Sequence, residues 1–232
     1  MDASAYAFVH GVRNTRGTLE AWNRRPWPVL RAWLAGSVAA AAGLLLAVWL
    51  IATVSHPSGL VSVRHPPLAP GTPADVVRIL GRNALVLALH AMACVAGFIA
   101  GSSLPLQAPQ RSSLMRTIHE RGGRIAIAIV VGATTFSLSA QAYVLGTSLA
   151  RVAGTVHVGP GLLLLGLLPH ALPELTALFL PLAAWVIASR HGDWDKLLAA
   201  TVVTVAIAVP VLVLTALWEV YVAPHVLHVL IG

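Results

Sequence analysis

Apolar positions along the chain fall into five long runs, at residues 32–54, 84–104, 125–149, 162–188 and 197–222. Shorter stretches between them gather the charges, prolines and glycines. Each run reaches the roughly 20 residues that a helix needs to cross a bilayer. The pattern predicts an all-α, polytopic helical membrane protein with about five transmembrane helices. They form one helical domain, residues 32–232, behind an N-terminal segment, 1–31. That segment interleaves Tyr6, Phe8, Val9, Leu19 and Trp22 with Arg13, Arg16, Arg24, Arg25 and Arg31. Such mixing suits an amphipathic helix lying in the headgroup plane. Pro26-Trp27-Pro28 turns the chain, and Trp27 and Trp33 suit the interfacial aromatic belt. The first apolar run begins late and is long for a signal-peptide core, so it reads as a retained span.

Residues 55–82 are expected to form a polar outer loop, because a backbone so rich in Pro and Gly cannot lie unpaired in lipid. Within it, Thr72-Pro73-Ala74-Asp75 has the form of a helix start and predicts a short helix leading into the second span. The second span holds His90, Cys94 and the pair Gly97 and Gly101, whose spacing lets two helices approach closely. Two ligands do not make a metal site, so His90 is expected to be hydrogen-bonded inside the bundle. The third span carries Thr134, Thr135, Ser137, Ser139 and Gln141. Hydroxyls can bond back to their own helix, whereas Gln141 is expected to need a partner on a neighbouring one. Pro224 is expected to stop the fifth span just after Glu219.

The fourth span contains the densest chemistry: Leu168-Pro169-His170-Ala171-Leu172-Pro173-Glu174-Leu175. His170 and Glu174 are four apart and share one helix face. Pro169 and Pro173 predict a proline-broken span. Ionisable residues at such depth cost a few kcal/mol and usually face a bundle interior or a cavity. Two readings of the pair stay open: a polar clamp between helices, or a site for a proton, cation or polar substrate at a discontinuous helix.

Composition adds orientation and exclusions. Hydrophobic residues make up 57% and charged ones 10%, against about 25% charged in an ordinary soluble domain. The net charge of +7 is not a nucleic-acid signature here. Eleven Lys and Arg fall on the side of the N-terminus and four on the other, which predicts a cytoplasmic N-terminus. Arg so outnumbers Lys, beside abundant Ala, that the chain reads as bacterial, of high genomic GC content and resident in the cytoplasmic membrane. Cys94 is the sole cysteine, so no intrachain disulfide or cysteine-based zinc site can form. A His-Glu-x-x-His helix, a Gly-x-Ser-x-Gly nucleophile setting and a Walker-type phosphate loop are all missing. Catalytic residues, cofactor and metal are therefore expected to be none. With the N-terminus inside, His170, Glu174, Gln141 and Glu219 predict a polar cluster in the outer half, opening outward.

Taken together these residues resemble the stage II sporulation protein M family of bacterial integral membrane proteins. That family carries a Pro-His-Gly-x-x-Glu-Leu segment opening a late helix, matched here at Pro169, His170, Glu174 and Leu175. Glu219 followed by Val220-Tyr221-Val222 and Pro224 fits the end of its final helix, and Asn83 its asparagine opening the second. Gln141-Ala142 through Gly146 stands where the family has an Asn-Gly-x-x-x-Gly-like turn. Ala171 and Gln141-Ala142 depart from the family's glycines and mark a divergent member. The resemblance implies a non-enzymatic membrane subunit that organises or recruits partners, as the founder does for cell-wall enzymes. Small-residue faces at Gly97, Gly101 and Gly146 suit a homo-oligomer surrounded by membrane lipid. The alternative is a transporter-like permease component working with a separate ABC-type ATPase, with which some relatives are associated.

Overall fold

The computed structural model describes residues 3–55, 71–99 and 122–231. Among these the chain is helical throughout, in seven α-helices and one 3-10 turn. They are α1 (Ala3–Arg24), α2 (Trp27–Val54), α3 (Pro73–Phe98), α4 (Gly122–Thr155), α5 (Pro160–His191), the turn Trp194–Lys196, α6 (Leu197–Tyr221) and α7 (Ala223–Ile231). Five of them, α2 to α6, are long and apolar enough to cross a membrane, α6 together with the turn before it.

Helix ends follow local chemistry. Asp75 accepts from the Thr72 N–H at 2.8 Å and from its hydroxyl at 2.7 Å, and pairs with Arg78 one turn on. This cap corrects the expected boundary of the second span. The helix starts at Pro73 and continues unbroken into the apolar run, so Arg78 and Arg82 belong to α3 and not to a loop. Residues 100–104 of the expected span, and Gly101 in it, lie outside the described residues. Arg151, which follows the expected third span of 125–149, sits inside α4. Gly159 and Pro160 open α5, and Gly192 ends it with φ of 74°, a left-handed cap that glycine adopts freely.

The fourth span is not divided as expected. Pro160–His191 is one helix that contains Pro169, Pro173 and Pro181. Each proline removes a single donor, leaving the carbonyl four residues earlier without its helical partner. Helix continuity survives because α5 is held from several sides: it packs against α2, α3, α6, α4 and α7. It is also the most buried span, whereas α4 leans chiefly on α2.

Lipid tails are as apolar as leucine, so membrane helices gain by close packing more than by hiding apolar surface. The buried faces show it. Helix α6 presents Ala200, Thr204, Ala208, Leu212, Ala216 and Val220 every fourth residue, and α2 presents Ser37, Ala41, Leu44, Val48 and Ala52. The hydroxyls on these stripes are satisfied locally: Ser37 donates to Trp33 O and Thr204 to Ala200 O, both at 2.7 Å. Gly146 fits the same scheme between α4 and α2, since a Cβ there would lie 2.7 Å from Ile51 Cβ. At the opposite end of the bundle Trp22 of α1 meets Trp33 edge-on, with ring centroids 5.2 Å apart.

Helices α3 and α5 run in the same direction along a seam with spacing 4-3-4-3 on α3: Asn83, Leu87, His90, Cys94 and Gly97. Asn83 Nδ2 donates to Glu174 Oε1 at 3.0 Å. His90 Nδ1 lies 2.8 Å from Leu178 O, and because a carbonyl only accepts, that nitrogen carries the proton. The Cys94 thiol donates to Pro181 O at 3.2 Å. Gly97 takes the Trp185 indole, whose Nε1 would lie 2.5 Å from an added Cβ. His90 is thus bonded inside the bundle. The close contact at Gly97 is with a tryptophan ring.

Pro224 does not simply end the chain's helical course. It lies in the first turn of α7, which packs on α5 and α6 and buries Leu227 against Gly166. At nine residues α7 is too short to cross a bilayer.

Candidate functional site

Four elements end or begin together at one end of the bundle, and each delivers polar groups there. The continuous helix α5 presents His170 and Glu174 on one face, one turn apart, beside Pro169 and Pro173. Helix α3 enters from the same end with Arg82 and Asn83, α4 brings Gln141 and Ser148 from its second half, and α6 contributes Glu219 two residues before its last. All seven side chains line one cavity of about 460 Å³. Its remaining wall is apolar, with Leu44 and Val48 of α2, Leu167 and Phe179 of α5 and Leu227 of α7. The volume falls in the range of roughly 300–1,000 Å³ typical of small-molecule sites.

The polar groups are unevenly satisfied. Glu174 receives the Asn83 amide. Arg82 lies near enough to influence both Glu174 and Glu219, and Glu219 also influences Glu174. His170 is only 6% exposed, and its Nδ1 is buried with no hydrogen-bond partner. Among the described residues, no three His, Cys, Asp or Glu side chains are arranged to hold a metal ion.

The four residues expected to form the polar cluster, His170, Glu174, Gln141 and Glu219, do line the same cavity. The partner expected for Gln141 is corrected. Its Nε2 donates to Ser137 Oγ at 3.0 Å, one turn back on its own helix, because a serine four residues earlier is already within reach. Three lining groups were not anticipated in this role. By sequence Arg82 falls in the expected loop, Asn83 stands out only through the family resemblance, and Ser148 carries no signal. The first had a readable cue: Asp75, Arg78 and Arg82 are spaced 3 and 4 apart, the period of one helix face.

Comparison with family models, with curated proteins and with solved structures returned no match to this chain.

Proposed function

We propose that this chain is a multi-pass subunit of a bacterial cytoplasmic membrane, resembling the stage II sporulation protein M family. It organises or recruits partners in a membrane complex and performs no catalysis of its own. The observation that carries this reading is helix α4. Its apolar stretch is 6% buried within the chain, against 44% for α5. On its outer surface Thr135 and Ser139 stand exposed beside Phe136, which is 77% exposed. Hydroxyl-bearing faces on membrane helices favour other helices over lipid. In this reading α4 packs against a second copy or a partner subunit, and α1 lies along the cytoplasmic headgroup layer with its arginines near anionic lipid.

Purification in mild detergent followed by mass measurement tests it. The expected protein mass is a multiple of 24.2 kDa or includes a stoichiometric partner. A strict monomer with nothing bound overturns the proposal.

The cavity favours a second reading, a permease component served by a separate ABC-type ATPase, with His170 and Glu174 on the path. Reconstituted flux should fall on Glu174→Gln or His170→Ala. Unchanged flux in both removes the pair from this role.

A further inference from the structure

We infer that the cavity between α3, α5 and α6 binds a primary ammonium group carried on an apolar chain. This goes beyond the proposed function and holds whether the chain recruits partners or carries cargo.

The chemistry of the wall is dominated by acceptors. Glu174 and Glu219 present carboxylates, while Arg82 is the one guanidinium lining the cavity. One guanidinium can balance only one carboxylate, so both carboxyl groups are ionised together only when a cation joins them at this depth. A monovalent cation completes that balance; an anion would oppose it. Two further groups can accept. A carboxylate oxygen only accepts, so Asn83 turns its NH₂ toward Glu174 and keeps its carbonyl oxygen for another donor. His170 Nδ1 is buried and unpartnered, and it can take a proton-bearing nitrogen.

The shape of the cation follows from the rest of the wall. Among the described residues no three acidic, imidazole or thiol groups are arranged to hold a metal ion, so an organic cation suits this wall better than a metal. Leu44, Val48, Leu167 and Phe179 provide apolar contact for a hydrocarbon portion. An ammonium with its three N–H donors beside an alkyl chain satisfies both halves. Such a group comes from two sources, the headgroup of an aminolipid in the surrounding bilayer or a free alkylamine.

The test uses the full chain, purified in a non-ionic detergent at neutral pH and titrated calorimetrically with hexylammonium chloride. Hexanol and hexanoate serve as probes with the same chain and no cation. Saturable binding of hexylammonium is expected, with each control weaker by about tenfold or more. Glu174→Gln and Glu219→Gln, both near-isosteric, should each weaken hexylammonium about tenfold while keeping the parent's thermal unfolding midpoint. Native mass spectrometry separates the sources. Retained phosphatidylethanolamine that hexylammonium displaces identifies the lipid, and saturable binding without it identifies a free amine. Equal affinity for hexanol, preference for hexanoate, full affinity in both variants, or neither amine binding nor retained aminolipid overturns the inference. Oligomeric state and flux do not enter this readout, so its failure is separate from failure of either functional reading.

Discussion

Glu174 sits on the most buried span of the molecule, and the group that meets it is an amide reaching across from Asn83 at 3.0 Å. Buried hydrogen bonds to charged groups are worth about 1.5–3 kcal/mol in soluble proteins. Between membrane helices the average measured coupling is nearer 0.6 kcal/mol, because the unfolded helices also find partners in lipid. The second figure applies here, raised somewhat by the charge. Asn83→Leu is therefore expected to lower stability by about 1–2 kcal/mol. Most of that loss should vanish in a Glu174→Leu background, as measured by a double-mutant cycle of unfolding in mixed micelles. A full loss in both backgrounds would show that Asn83 acts through packing alone. The residues of this cluster were legible in the sequence to different degrees. His170, Glu174 and Glu219 stand out because an ionisable side chain in an apolar run has few places to go. Arg82 and Asn83 did not, because they precede the apolar run and their membership of α3 is decided by a cap ten residues earlier.

At the scale of elements, the five spans could be read from hydropathy, but the faces by which they pack could not. In water an apolar stripe marks the buried face; in lipid both faces are apolar, and contact is marked by small residues that are abundant everywhere in this chain. The α3–α5 seam and the unbroken course of α5 through three prolines appear only when the neighbours are in place. Glycines offer the sharpest test. A Cβ at Gly146 would lie 2.7 Å from Ile51 Cβ and 2.9 Å from Val48 O, atoms fixed by the α2 backbone, whereas one at Gly43 meets nothing within 4 Å. Gly146→Ala must push α4 away from α2, an overpacking cost of about 1–3 kcal/mol that outweighs the gain in helix propensity. Gly43→Ala carries that gain without the clash and should leave stability unchanged or slightly raised. Thermal unfolding of the two variants in detergent checks the pair, and equal effects would mean that α2 and α4 do not pack as closely as the geometry states.

For the whole molecule, polarity along the bundle axis and the distribution of arginine make one joint argument. The cavity lies at the end where α2, α4 and α6 finish and α3 and α5 begin, while α1, Arg190 and Lys196 lie at the other. By the positive-inside tendency the second end is the one expected to be cytoplasmic, as the proposed function has it. Moving Arg78, Arg82 and Arg151 from loops into helices leaves them at the cavity end and does not alter the bias. In the proposed orientation the polar chamber faces the outside of the membrane, within reach of the outer leaflet and of external solutes. Single-cysteine labelling decides the matter with little background, since the native Cys94 is fully buried. Thr155 ends α4 on the cavity side and is exposed; His191 ends α5 on the other side and is also exposed. In intact cells a membrane-impermeant maleimide should label Thr155→Cys, and should reach His191→Cys only after the membrane is permeabilised. The inverse pattern would turn the bundle over and place the cavity toward the cytoplasm. The chamber would then open to soluble partners, and its ligand would have to come from the cell interior.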